Sequence, residues 1–144
     1  GPLVPDVEQV ASDDLEALSV IMTQRGNNIA AILAEPLQGA GGVYTPSADY
    51  LKGLRKLCDQ HGAFLIFDEV ITGVARLGTW FGANFYGVNP DLLCFAKAVT
   101  SGYSLLAVFS SAMQCVNHSS LTLISFCVMA THIQGMLLRV SPRL

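Results

Sequence analysis

An apolar run of strand length, Ala63-Phe64-Leu65-Ile66-Phe67, ends on two carboxylates, Asp68 and Glu69, with Val70 behind them and Gly62 and Gly73 as brackets. An unbroken run of this kind suits a strand covered on both faces, as in parallel sheets. Open α/β sheets place their ligands at the carboxyl ends of such strands, which makes Asp68 a candidate for chemistry. A strand-end aspartate also caps the turn that follows it. On this stretch alone the two readings carry equal weight.

The flanking residues supply helices. Ser12-Asp13-Asp14-Leu15-Glu16 reads as a helix start, with Ser12 as N-cap and acids facing the positive end of the dipole. Leu15, Leu18 and Met22 form its apolar stripe, and Arg25-Gly26 is its stop. Ile29 to Ala34 is a short strand ended by Glu35-Pro36, because proline removes a backbone donor. Gln38 to Gly42 follows as a glycine-rich loop that reads as a plain turn. Thr45-Pro46 opens a second helix, with Pro46 at its first position. Leu51, Leu54, Leu57 and Cys58 make its buried face, and His61-Gly62 ends it. Beyond the Asp68 strand come an aromatic patch (Trp80, Phe81, Phe85, Tyr86), a third strand over Pro90 to Lys97 and a fourth over Leu105 to Phe109. Strands alternating with capped helices predict an α/β domain with a largely parallel sheet.

Composition narrows the class. The chain has 144 residues, enough for one domain with a real core, and 51% hydrophobic against 13% charged residues argues against disorder. A net charge of -3 gives no reason to expect nucleic acid or an acidic membrane as partner. Cys58, Cys94, Cys115 and Cys127 show no paired spacing, and His61, His118 and His132 add no metal-ligand pattern, so no metal is expected. The cysteines read as reduced, mostly buried thiols of a cytoplasmic protein. The start, Gly1-Pro2-Leu3-Val4-Pro5, lacks the features of a signal peptide and reads as the middle of a longer chain.

Lys97 calls for the same weighing as Asp68. Lysine is uncommon at the end of an apolar strand unless paired or functional, and the plain structural reading is a side chain snorkelling to solvent. Two strand ends presenting an aspartate and a lysine are a stronger joint signal. Pyridoxal phosphate requires that pair: a carboxylate to keep a pyridine nitrogen protonated and an amine to form an imine.

With those residues in place, the sequence resembles the class III pyridoxal-phosphate aminotransferases. The resemblance is carried by Phe67-Asp68-Glu69-Val70-Ile71-Thr72-Gly73, Arg76, Gly78-Thr79-Trp80-Phe81-Gly82, Pro90-Asp91, Ala96-Lys97 and Thr100-Ser101-Gly102-Tyr103. Upstream, Ala34 to Gly42 and Tyr50 to Arg55 match the same family, and the match runs in order to about Ser111. It implies a three-layer αβα fold with a mostly parallel sheet, part of the large domain of a fold-type I transferase. It further implies pyridoxal 5'-phosphate as cofactor and transamination between a small amino donor and a 2-oxo acid, in a homodimer. By position, Asp68 would pair with the pyridine nitrogen and Val70 would pack on the ring face. Lys97 would hold the cofactor as an imine and then move the proton, with Glu35 and Gln38 lining the site.

Two positions point to a branch. Ornithine and 4-aminobutyrate enzymes of this class carry a glutamate where Ala40 stands, and often a glutamine where Ile71 stands. With Thr72-Gly73 and Thr79 to Gly82, the chain resembles the ω-amino acid or amine:pyruvate branch. There are also departures. Gly73-Val74-Ala75-Arg76 replaces Gly-Phe-Gly-Arg, Ala98 replaces the glycine after the lysine, and Leu105-Leu106 stands for the usual Pro-Leu-Gly, its glycine replaced by Ala107 or deleted. Alanine resists the positive φ that glycine accepts.

Residues 1–111 are accordingly expected to be a partial aminotransferase large domain, and 112–144 an unmatched apolar tail. The tail has no Asp, Glu or Lys, and its apolar part, Leu121 to Leu138, is too interrupted by polar residues for a membrane span. A non-native tail from truncation, splicing or a frame change is the preferred reading, against a membrane or partner-binding segment. The family's phosphate loop, ring-stacking aromatic and small domain have no match here. The alternative to an enzyme is therefore an inactive truncated product that pairs with full-length subunits. If the family fold is kept, Asp68 and Lys97 should both lie at carboxyl strand ends with their side chains converging on one cleft.

Overall fold

The computed structural model describes residues 6–104, 106–111 and 136–139. The expectations for Cys115, Cys127, His118, His132 and most of Leu121 to Leu138 fall outside those residues.

Two helices build the core with the sheet. The first, α1 (Leu15–Arg25), starts later than the sequence suggests. Asp13 takes a left-handed φ of 63°, so Asp14 rather than Ser12 is the cap, its Oδ1 accepting from Ala17 N at 2.9 Å. The Asp13 carboxylate instead accepts from Ser47 N at 3.1 Å and Ser47 Oγ at 2.8 Å, which ties together the starts of both helices. The second, α2 (Ala48–His61), is capped by Ser47, whose Oγ accepts from Tyr50 N at 3.1 Å. Pro46 therefore lies just ahead of the cap, not in the first helical position. Gly62 ends α2 as expected, in a left-handed conformation with φ 69°.

Leu18 and Met22 of α1 and Leu51, Leu54, Leu57 and Cys58 of α2 join Ile32, Leu65 and Phe67 of the sheet in one buried cluster. Full burial of a side chain of this size is worth about 1.5–3 kcal/mol, so this cluster is the main support of the sheet. The helices approach closely at Gly53, where a β-carbon would stand 2.3 Å from Leu15 Cδ2.

The sheet has six strands in the order β1-β6-β2-β3-β4-β5. They are β1 (Val7–Gln9), β2 (Ile29–Ala34), β3 (Phe64–Asp68), β4 (Leu92–Phe95), β5 (Val108–Ser111) and β6 (Met136–Arg139). The central strands are parallel: Ala34 of β2 lies opposite Phe67 of β3, and Asp68 of β3 opposite Cys94 of β4. β5 runs antiparallel beside β4, and β6 runs antiparallel between β1 and β2. β1 is too short to show a period, and β6 sits in what the sequence reads as a tail. Asp91 fastens the entry to β4, its Oδ2 accepting from Leu65 N and from Arg55 Nη1 of α2, each at 2.7 Å.

A short helix, α3 (Gly82–Tyr86), carries part of the aromatic patch. Before it, the chain loops from Glu69 to Phe81, closed by Ala75 N to Trp80 O at 3.2 Å and Gly78 N to Ala75 O at 3.1 Å. Of the three alanine departures, only Ala75 meets the conformational difficulty: its φ is 64°, and Val74 beside it has φ 59°. Neither Ala98 nor Ala107 takes a positive φ.

The left-handed region costs an alanine roughly 1–2 kcal/mol, partly offset because glycine is more disordered when unfolded. Ala75→Gly should therefore raise stability by about 0.5–1 kcal/mol, read as a higher urea midpoint with an unchanged slope. A lower midpoint would show that Ala75 does not occupy this conformation.

Candidate active site

Asp68 is the last residue of β3, and Lys97 follows β4 by two residues, at the start of the one-turn 3-10 helix Lys97–Val99. Because β3 and β4 are parallel neighbours, both residues leave the sheet at the same edge. Ala96 is extended and Lys97 turns with φ 47°, an unusual value for a residue with a side chain. That turn, not the strand, sets where the ammonium goes. Lys97 is exposed, whereas Asp68 is half-buried.

The Asp68 carboxylate does two things at once. Its Oδ1 accepts from Val70 N at 3.0 Å, the local turn that a strand-end aspartate favours. Among the described residues its other oxygen has no hydrogen-bond donor. Burial raises the pKa of Asp68, while the Val70 N–H and, more weakly, the charge of Lys97 act to lower it. No direct ion pair joins the two side chains. The turn-capping role thus occupies one oxygen and leaves the other without a protein donor among the described residues.

The other expected site residues lie on the neighbouring strand and loop. Ala34 lies opposite Phe67, so Glu35 leaves β2 level with Asp68. Glu35 Oε2 accepts from Gly39 N at 3.3 Å. Gln38 pairs through its backbone with Tyr44, N to O at 3.0 Å and O from N at 2.9 Å, closing the glycine-rich loop. Its side-chain oxygen would stand 3.5 Å from a β-carbon at Gly41, so it lies along its own loop. A β-carbon at Gly39 would stand 2.5 Å from Ile71 Cδ1. The Glu35–Gln38 loop therefore packs directly on the turn that follows Asp68.

The residue that sequence reasoning missed is Glu69. It is fully buried at 0% exposure, and three donors converge on its carboxylate. Oε1 accepts from Ala83 N at 2.8 Å, and Oε2 accepts from Thr72 Oγ1 at 3.0 Å and also from Gly82 N. The only sequence signal was a second carboxylate at the strand end. The thiol beside Asp68, Cys94, and that of Cys58 at the far end of α2 are both free, and burial pushes each up to about 12, away from the reactive thiolate. No group of three or more candidate ligands that could hold a metal ion occurs among the described residues. No helix among them is long and apolar enough to cross a membrane.

A family model for the class III aminotransferases matches residues 2–122. The chain belongs to that family. Acetylornithine aminotransferase 1 of Pseudomonas syringae pathovar tomato is 43% identical over 111 residues, which are 77% of this chain and 27% of that protein. Putrescine aminotransferase of Pectobacterium atrosepticum is 47% identical over 104 residues, 70% of this chain and 22% of that protein. Among solved structures, ornithine aminotransferase of Toxoplasma gondii is similar with a TM-score of 0.69 and 36% identity, over 74% of this chain and 25% of that one. An amine transaminase from an uncultivated Pseudomonas species, in a pyridoxal-phosphate-bound form, is 49% identical with a TM-score of 0.62, over 65% of this chain and 21% of that one. The chain spans about a quarter of the length of the curated relatives it matches.

Class III aminotransferases depend on pyridoxal 5'-phosphate, and the residues present fit that group. A half-buried carboxylate with one oxygen free of protein donors suits a protonated ring nitrogen, and a separate, exposed lysine at the same sheet edge suits its aldehyde carbon.

The burial of Asp68 has a consequence for stability. A carboxyl whose folded pKa is raised contributes stability that is present below the unfolded value of 3.8 and is lost as pH rises through the folded value. Asp68→Asn keeps the acceptor for Val70 N–H and removes the charge. The variant should unfold at higher urea than the parent at pH 7, with the gap narrowing on acidification toward pH 4. A gap that is absent, or that widens in acid, would contradict this account.

Proposed function

We propose that these residues supply the ring-nitrogen carboxylate and the cofactor-binding lysine of a pyridoxal-phosphate-dependent transaminase. The single observation that carries the reading is the placement of Asp68 and Lys97 at the ends of adjacent parallel strands, without a direct ion pair between them. When bound, the cofactor supplies an electron sink for the bond broken at the substrate carbon. Asp68 would hold a proton on the ring nitrogen, its charge kept in place by the Val70 N–H. Val70 would pack on the ring face. Glu35 and Gln38 would border the site from the loop that packs on Ile71. Lys97 Nζ would hold the cofactor covalently, and once released it would act as the base that carries a proton to and from the substrate carbon.

For the substrate, the reading favours an ω-amino acid or amine as donor and a 2-oxo acid such as pyruvate as acceptor. Ala40 and Ile71 support it, standing where ornithine and 4-aminobutyrate enzymes carry or favour glutamate and glutamine. The identities to a putrescine aminotransferase and an amine transaminase support it as well. A homodimer is part of the same reading: Trp80 is 71% exposed and Tyr103 96%, apolar surface at the site end of the sheet that a second subunit would cover. Free, unreactive thiols fit a cytoplasmic location.

The test uses a protein that carries these residues at full family length. Lys97→Ala should lower amino transfer to pyruvate by at least about 100-fold, since the covalent hold and the proton carrier are lost together. Asp68→Ala should be similarly severe. The 144 residues alone should give no alanine above a free-cofactor blank, because the proposal assigns no phosphate anchor within them. Full activity in either variant would overturn the roles. Turnover by the isolated chain that Lys97→Ala abolishes would show that the anchor is dispensable.

A further inference from the structure

We infer that Glu69 is the positioning residue of this site: its buried carboxylate fixes the turn that aims Asp68. The inference rests on the Asp68–Lys97 reading above and adds a residue that this reading leaves without a role.

The Glu69 carboxylate sits among hydrogen-bond donors. Every group pointing at the Glu69 side chain is a donor: Thr72 Oγ1–H, Gly82 N–H and Ala83 N–H. No basic side chain is ion-paired with it among the described residues. With a backbone N–H on each of its two oxygens, the site fits a carboxylate and not a carboxamide, which would turn an NH2 onto one of those N–H groups. Charge-assisted bonds of this kind are about twice as strong as neutral ones. Space is equally restricted: a β-carbon at Gly82 would stand 2.9 Å from Pro36 Cβ and 3.2 Å from Glu69 Oε2. The carboxylate therefore binds α3 through a backbone that only glycine allows this close.

The backbone of Glu69 is held on both sides as well. Its N–H donates to Cys94 O at 2.7 Å, which extends the β3–β4 ladder one residue past Asp68. Its C=O accepts from Gly73 N at 2.8 Å, which closes the turn holding Val70. Gly73 sits so close that a β-carbon there would stand 2.8 Å from Glu69 O. Through these bonds Glu69 joins β4, the Val70 turn and α3 at one point. Phe81, at the start of α3, stacks edge-on against Phe95 at the end of β4 with ring centroids 5.2 Å apart, so the clamp closes on the strand that leads to Lys97. The Val70 N–H that reaches Asp68 Oδ1 is held between two fixed residues.

The test is amide hydrogen exchange on the full chain without cofactor, so its outcome is independent of whether Lys97 ever binds one. The Leu65 amide, bonded to Asp91 at the other end of the same strand, is the internal control. Glu69→Gln should lower protection of the Val70 amide at least about tenfold relative to Leu65, the loss expected when a charged hydrogen-bond acceptor is removed. It should also abolish the movement of the Val70 amide shift with the titration of Asp68. Thr72→Val, which removes one donor and leaves the backbone bonds, should do the same to a smaller extent. If Glu69→Gln does not fold, Thr72→Val decides alone. Equal loss of protection at Val70 and Leu65 would mean that Glu69 serves general stability only, and the inference fails. It fails equally if Val70 is unchanged in the variants that fold.

Discussion

The structure depends on the parallel register of β3 on β4, which sets Asp68 opposite Cys94 and is carried one residue further by Glu69 N–H to Cys94 O at 2.7 Å. Side chains alternate along a strand, so a slip of one residue would put Asp68 on the face that Leu65 and Phe67 fill with α2. Lys97 would move by about one residue rise, ~3.3 Å, relative to the carboxylate. The core rejects an unpaired charge, and the second change would part the two groups proposed to hold one small molecule. Core packing and site geometry are therefore specified by the same alternation.

That register is enforced from outside the strands. Leu65 and Phe67 are locked by Leu51, Leu54 and Cys58 in one cluster. At the opposite end from the site, Asp91 takes the Leu65 N–H and the Arg55 guanidinium at 2.7 Å each, so α2 cannot slide along β3 without breaking a shielded ion pair. Asp13 performs a similar task for the helix starts, holding Ser47 while Asp14 caps α1. The apolar contacts supply most of the stability, and the placed carboxylates supply the alignment.

Much of this was legible in the sequence, for physical reasons that can be named. β2 and β3 are short apolar runs with sharp ends, Glu35-Pro36 and Asp68-Glu69, and α2 has a full apolar stripe closed by Gly62. Both helix starts were misplaced by two residues, for α1 because Ser12, Asp13 and Asp14 are all good caps and only the left-handed φ at Asp13 decides between them. β1 and β6 escaped because three or four residues show no period, and β6 pairs with strands more than 100 positions away in sequence. α3 escaped because its five residues include an aromatic run that reads equally well as a surface patch. At the site, residue types and order were enough to place Asp68 and Lys97 at the carboxyl ends of adjacent strands. The role of Glu69 was not legible, since its donors come from Thr72, Gly82 and Ala83 and meet only when the loop has closed.

Asp68 and Glu69 are adjacent carboxylates at one strand end, and their environments differ in the way that matters for chemistry. Glu69 is fully buried yet satisfied by three donors, a state in which a carboxylate is tightly held and chemically idle. Asp68 is less buried but poorly satisfied, with one backbone donor and a raised pKa. Its partial burial costs stability, and the oxygen without a protein donor is the one proposed to meet an outside proton donor such as a pyridinium. The satisfied neighbour makes that arrangement sustainable, because a turn clamped on both sides of Val70 cannot rotate to bring Asp68 a second backbone donor. The carboxylate that faces away from protein donors is thus held in place by the one that takes three of them.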